Sequence, residues 1–382
     1  MPFASALSEH PVPAHAAGEV IGSVLEAVGS APDLAVIFAT APHTGAIEDI
    51  VAAVRSVLRP ATLIGATAVS VLGGGREVEE VPALSLWAGR FPPGSAPVVP
   101  VRLRSQPSPH GMTLTGLPTA TADGRHTLVL LPDPFTFPAD EFLSVIADEL
   151  PGLTVVGGLA SAARAPGGNR LVLDGEIHTD GAVGALLPPR VAPVAVVSQG
   201  CRPIGDPMTV TKAERNVIYE LAGRPALERL AELLEQLSPA DRDLASSGVH
   251  LGRVIDEHKL DFTRGDFLIR TVLGGDREVG AIAVGDVVEI GSTVQFQVRD
   301  AGSADEDLRE LVAGRRADGA LVFTCNGRGT YLFGTPDHDA SVINEAVAGG
   351  ATAGMFCAGE LGPVGGRSFL HGFTASVVLF SD

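Results

Sequence analysis

The chain has 382 residues, enough for two or three domains, and its 45% apolar content with a mean hydropathy of +0.27 excludes a disordered polymer. Against 45 acidic residues stand 27 basic ones, a net charge of −18. With only Lys212 and Lys259 as lysines, no basic arm is available to displace counterions, so no nucleic-acid role is expected.

In chain order, LAVIFAT (34–40) reads as a strand, and Ile47, Ile50, Val51, Val54 and Leu58 mark one face of a helix. A second strand ends at Gly65, a glycine cluster follows at 73–75, and ALSLWAG (83–89) closes the stretch. The same sequence of signals returns in TLVLLPD (127–133), a helix near 138–150, TVVGG (154–158), Gly167-Gly168 and AVGALL (182–187). VAVVSQG (194–200) then leads to a hairpin over 208–221 and to helix 225–237, with Pro225 at its first position and Leu227, Leu230, Leu234 and Leu237 as its apolar face. Three further strands read as FLIRTVL (267–273), AIAVGD (281–286) and STVQFQVRD (292–300). In the last, Val294, Phe296 and Val298 alternate with Gln295, Gln297 and Arg299, the period of a half-buried sheet. The opening pattern appears a third time in ALVFTCN (320–326), a helix near 337–348, ATAGMFC (351–357), Gly365-Gly366 and TASVVLF (374–380).

The spacings agree: 28 residues separate Ile37 from Gly65 and Val129 from Gly157, and 32 separate Val322 from Gly354. The expected fold is α/β, layered sheets and helices in two domains, with an internally repeated strand-helix-strand-hairpin unit. Two such units fall in a domain at 30–222; one unit plus inserted strands falls in a domain at 223–382. The 46 glycines and 28 prolines fit many tight turns. The first basic residue is Arg55, so no secretory signal is expected, and Pro188, Pro189, Arg190 and Pro193 break the longest apolar stretch, so neither is membrane insertion. Cys201, Cys325 and Cys357 are odd in number and far apart, which fits reduced thiols and a cytoplasmic location.

Three runs carry a family resemblance: CRPIGDPMTVTKAERNVIYELAGRPALERL, FLIRTVLGGDREVGAIAVGDVVEIGSTVQFQVRDA and GMFCAGELGPVGGRSFLHGFTASVVLF. They resemble FIST domain proteins, in which an N-terminal FIST domain precedes a FIST C domain, and the resemblance spans about 30 to 380. It implies a stand-alone intracellular sensory protein for a small ligand, an amino acid or related metabolite, acting with a signalling partner. The F-box relatives of the family imply, alternatively, a protein-interaction module.

For chemistry, TCNGRGTYLFG (324–334) sets Asn326 and Arg328 in a glycine turn after a strand, a cradle for a carboxylate or phosphate; equally, it is a strand-end turn whose arginine faces water. It is no dinucleotide fingerprint, since Leu332 stands where a glycine is needed, and no cofactor is expected. Glu360 and His371 flank the second glycine turn, where a hairpin can join them as a carboxylate–imidazole pair; in the plainer reading Glu360 satisfies turn amides. Cys325 and Cys357 end two strands of the third copy, at the edge where α/β sheets take ligands. Either cysteine with His371 and Glu360 gives a hydrolase-type alternative, while the absence of C-x-x-C or paired His spacing argues against metal. Arg270, Asp286, Arg299 and Asp300 lie in apolar strands, and they and Arg202 serve either cross-strand pairing or a ligand carboxylate. Thr67 and Ser161 read as turn formers.

Overall fold

The computed structural model of the protein describes residues 2–108, 111–116 and 125–381. The chain opens with β1 (Phe3–Ser8), α1 (Pro13–Val28), β2 (Leu34–Thr40), α2 (Ile47–Val57), β3 (Thr62–Ala68), β4 (Ser70–Gly73), β5 (Arg76–Glu79) and β6 (Leu84–Gly89). It continues with β7 (Val99–Ser108), β8 (Gly111–Thr115), β9 (His126–Pro132), α3 (Ala139–Glu149), β10 (Leu153–Gly158), β11 (Leu171–Leu173), β12 (Glu176–His178), β13 (Ala182–Leu187) and β14 (Val194–Gln199). Next come β15 (Cys201–Pro203), β16 (Met208–Glu214), β17 (Val217–Leu221), β18 (Arg224–Pro225), α4 (Ala226–Gln236), α5 (Pro239–Ser246), β19 (Val249–Val254), β20 (Phe267–Asp276), β21 (Ala281–Val284), β22 (Thr293–Arg299) and α6 (Ala301–Val312). The chain finishes with β23 (Gly319–Cys325), α7 (Thr330–Phe333), α8 (His338–Asn344), β24 (Thr352–Cys357), β25 (Glu360–Val364), β26 (Arg367–His371) and β27 (Thr374–Phe380).

Two compact units result. The first is Met1–Val197 with Leu308–Leu370 and Thr374–Asp382; the second is Ser198–Asp307 with His371–Phe373. The boundary expected at 222 therefore lies inside the second unit.

Three sheets build the first unit, in the orders β1-β6-β2-β3-β11-β12, β14-β27-β23-β24-β4-β5 and β8-β7-β13-β9-β10-β25-β26. Each centres on a parallel pair, β2/β3, β9/β10 or β23/β24. Parallel neighbours need a crossover, and α2, α3 and α8 lie on those connections. β2 and β3 are buried at every residue, which is why they read as unbroken apolar runs. Phe38, Val129 and Phe323, from β2, β9 and β23, meet in one core, while helices α1 and α2 cover the other face of the first sheet through Val20, Val24, Ile50 and Val54. This is the layered α/β arrangement expected.

The edges differ from expectation. Each sheet is completed by a hairpin from elsewhere in the chain: β4 joins β24, β11 joins β3, and β25 joins β10. Gly365 and Gly366 turn β25 into β26 with φ of +59° and +85°, the left-handed pair a type I′ turn requires. Gly167-Gly168, in contrast, lies in the loop before β11; the second hairpin turns at Asp174-Gly175, with Asp174 at φ 53°. Helix α8 is shorter than the 337–348 expected, ending at Asn344, and Gly349 and Gly350 beyond it take φ of +76° and +70°. β1 and α1 carry no counterpart in the sequence reading.

In the second unit the order β15-β22-β16-β17-β21-β20-β19, with β19 also paired to β22, closes six strands into a ring. Phe296, Val294 and Val298 fill its core with Ala226 and Leu230 of α4. Pro225 caps α4 rather than sitting inside its first turn. Gln295 and Gln297 are buried, contrary to the half-buried pattern expected of β22, because the face that carries them is covered too. No helix among the described residues is long and apolar enough to cross a membrane.

Candidate functional site

Parallel pairing sets Cys325 of β23 opposite Cys357 of β24, so both thiols stand at the carboxyl edge of this sheet. Asn326 N donates to Cys357 O at 2.9 Å, and Arg328 N to Cys325 O at 2.8 Å, which closes the turn. Gly329 continues it at φ +61°; a Cβ there would stand 2.7 Å from Glu79 Oε1 and 2.9 Å from the Phe356 ring, so only glycine fits. The turn sends Arg328 inward.

The water-facing reading of Arg328 is thereby overturned: the residue is 0% exposed. Its Nε donates to Asp339 Oδ2 at 2.6 Å and its Nη2 to Oδ1 at 2.8 Å, a two-point fork. Thr324 Oγ1 also donates to Asp339 Oδ2 at 2.7 Å, and His338 Nδ1 lies 3.0 Å from Oδ1. The His338 ring stacks on Phe333 with centroids 3.4 Å apart, and the guanidinium lies 5.2 Å over the same Phe333 ring. Burial opposes the charge on Asp339, but Arg328 outweighs it and holds this carboxyl well below its usual range. The third guanidinium nitrogen, Nη1, has no hydrogen-bond partner among the described residues.

An acidic rim surrounds the pair. Glu77 Oε1 accepts from Ala340 N at 3.0 Å, while Glu77 N donates to Asp337 Oδ1 at 2.7 Å. Glu79 Oε1 accepts from both Thr330 N and Thr330 Oγ1, at 2.8 and 2.7 Å. Burial, then the charge of Asp339, pushes Glu77 up to about 7.

Cys357 is buried, and burial followed by the charge of Glu360 raises its thiol far above the ordinary value. It is a neutral thiol, not a nucleophile at hand. Glu360 Oε2 accepts from Thr374 N at 3.1 Å and Thr374 Oγ1 at 2.8 Å, the amide-satisfying role. His371 ends β26 and belongs to the second unit. There too Arg202 pairs with Asp241 and, at 2.5 Å, with Asp300, and Arg270 Nε reaches Asp286 at 2.9 Å. Thr67 accepts from Arg170 N at 2.9 Å, and Ser161 donates to Phe356 O at 2.6 Å, so both tie loops to strands.

Of the residues singled out in the sequence, Cys325, Asn326, Arg328, Cys357 and Glu360 gather on strands β23 to β25 and the turn after β23, whereas Arg202 and Arg270 serve ion pairs elsewhere. The sequence reading missed Asp339 and Glu77. A signal existed for Asp339: it stands three and four residues before Val342 and Ile343, a charge on the buried face of α8.

Among the described residues no group of three or more His, Cys, Asp or Glu side chains is placed to hold a metal ion. The sequence profile of the FIST N domain matches residues 33–224, and that of the FIST C domain matches 226–363. An uncharacterized protein of Mycobacterium tuberculosis is 46% identical over 364 residues, covering 94% of this chain and 93% of its own. One from Mycobacterium bovis is 46% identical over 365 residues, covering 94% and 92%.

Proposed function

Because the chain belongs to the FIST family, whose domains are generally described as sensory domains for small ligands, we propose that it binds one small amino-acid-like metabolite at the carboxyl edge of β23 and β24 and passes the signal to a protein partner in the cytoplasm. Its modules in this reading are 30–222 and 223–382. The observation that carries it is Arg328 Nη1, a buried cationic donor without an acceptor among the described residues, at an edge where Cys325 is half-buried and Asn326 exposed. A carboxylate oxygen supplies the missing acceptor. The rim carboxylates Glu79 and Asp337 attract the ammonium of a zwitterion, and the −18 charge disfavours polyanions.

α7 is the cover. Its Phe333 lies over the guanidinium, Tyr331 is 77% exposed, and Gly334 ends the turn at φ +69°. A ligand that reaches Nη1 displaces this cover, which gives binding a structural output. The neutral Cys357 opposes the form of the hydrolase alternative that uses Cys357 as nucleophile. A thermal-shift screen of amino acids and small carboxylic acids tests the proposal: a selective ligand raises the melting midpoint saturably. If no compound raises it, the proposal fails.

A further inference from the structure

We infer that the second unit carries a separate ligand site, on the sheet face where His250 and Gln297 stand side by side, and that this site takes a small carboxylate. It shares no residue with the edge described above and does not rest on that reading.

β19 and β22 pair in a register that sets His250 directly opposite Gln297. Both are buried, at 6% and 1% exposure. His250 Nδ1 and Gln297 Nε2 have no hydrogen-bond partner among the described residues. Neither has Gln199 Oε1, although the same amide's Nε2 donates to Phe267 O at 2.8 Å. Buried polar atoms in a folded protein are normally paired, so two such atoms on this face, with a third on the β14 side chain bonded to Phe267 of its wall, indicate a missing occupant.

The same face has room made for its amide. At Gly252 a Cβ would stand 2.8 Å from Gln297 Nε2 and 3.0 Å from Phe267 Cβ. Any larger residue would drive the Gln297 side chain away. Phe267 and Ile269 wall the face with Phe373.

Electrostatics sets the sign of the occupant. Arg299 lies two residues from Gln297 on β22, hence on the same face, with its guanidinium 5.2 Å over the Phe373 ring. The His250 ring lies 4.2 Å from that same ring. Burial and then the charge of Arg299 push His250 down to about 4, so the imidazole is neutral beside a cation. An amide N–H donor, a neutral imidazole and a nearby guanidinium suit a carboxylate, which accepts from Gln297 Nε2 and gains from Arg299. Gln199 Oε1 is left to accept from a hydroxyl or ammonium on the same molecule.

Titration of the full chain, labelled with 13C at its histidine rings, against acetate and against its uncharged isostere acetamide provides the test; the His250 resonance is assigned by its loss in His250→Asn. Acetate shifts the His250 resonance saturably and raises its titration midpoint, since a bound anion favours imidazolium, while acetamide does so at least about tenfold more weakly. Gln297→Leu weakens acetate binding by about tenfold or more. Should the leucine variant fail to fold, Gln297→Glu serves, its charge expelling acetate. Arg328→Lys leaves the response unchanged, which separates this site from the first. No saturable shift with acetate, an equal response to acetamide, or retained binding in the Gln297 variants overturns the inference.

Discussion

Arg328 and Asp339 form a two-point ion pair, 2.6 and 2.8 Å, in which neither side chain is exposed. One member comes from the turn after β23 and the other from the first turn of α8, so the pair fixes where the chain travels after the strand. Its attraction does little more than offset the desolvation of both charges. Its weight is felt when one partner is removed. Arg328→Met or Asp339→Leu alone is expected to lower stability by about 3–5 kcal/mol, and the double variant to recover most of the loss. Urea unfolding of the four proteins checks this.

Glu77 gives the stability a pH dependence with a definite sign. Its carboxyl titrates near 7 when folded against an ordinary 4.5. A raised carboxylate pKa favours the fold fully below 4.5, and the contribution is lost as pH rises to about 7, because the unfolded chain releases its proton first. His250, pushed down from 6.5 to about 4, slopes the opposite way, with stability rising over that window. Comparing Glu77→Gln with the parent at each pH cancels the histidine. The variant's melting advantage grows from pH 5 to pH 8, reaching roughly 3 kcal/mol. Scanning calorimetry at the two ends measures it.

The thiols differ in access. Cys325 is half-buried, whereas Cys201 and Cys357 are buried. In the native protein one thiol is expected to react readily with a disulfide reagent, and Cys325→Ser removes that phase; Cys201 and Cys357 react only after unfolding. Absorbance of the released thiolate reports each phase.

Gly158 lies against Cys357, and a Cβ at Gly158 would stand 2.2 Å from its Sγ and 3.0 Å from its Cβ. Gly158→Ala is expected to lower stability by about 1–3 kcal/mol through overpacking. Adding Cys357→Ala, which withdraws the sulfur, returns part of it, so the two changes are non-additive in denaturant melts.

The strands at 34–40, 127–133 and 320–326 were legible because a strand buried on both faces reads as an unbroken apolar run. Which strand each hairpin joins was not. An apolar run shows that a strand is covered, not by what, and the β4–β5, β11–β12 and β25–β26 hairpins all leave their neighbours in sequence to complete other sheets. At Gln297, alternation suggested solvent, but Phe267, Ile269 and Phe373 line that side of the sheet. At the candidate edge, the turn after β23 was readable from its glycines. The direction of Arg328 was not, since it is set by a carboxylate eleven residues further on in α8.

Ligand-induced stabilisation in Arg328→Lys is the most direct measurement. Lysine keeps a cation beside Asp339 but removes the fork and the Nη1 nitrogen that has no acceptor. The protein is expected to remain folded, with a lower melting midpoint, and to lose the shift that an amino-acid-like ligand produces in the parent. An unchanged ligand shift in the folded lysine variant would contradict the assignment of the β23–β24 edge.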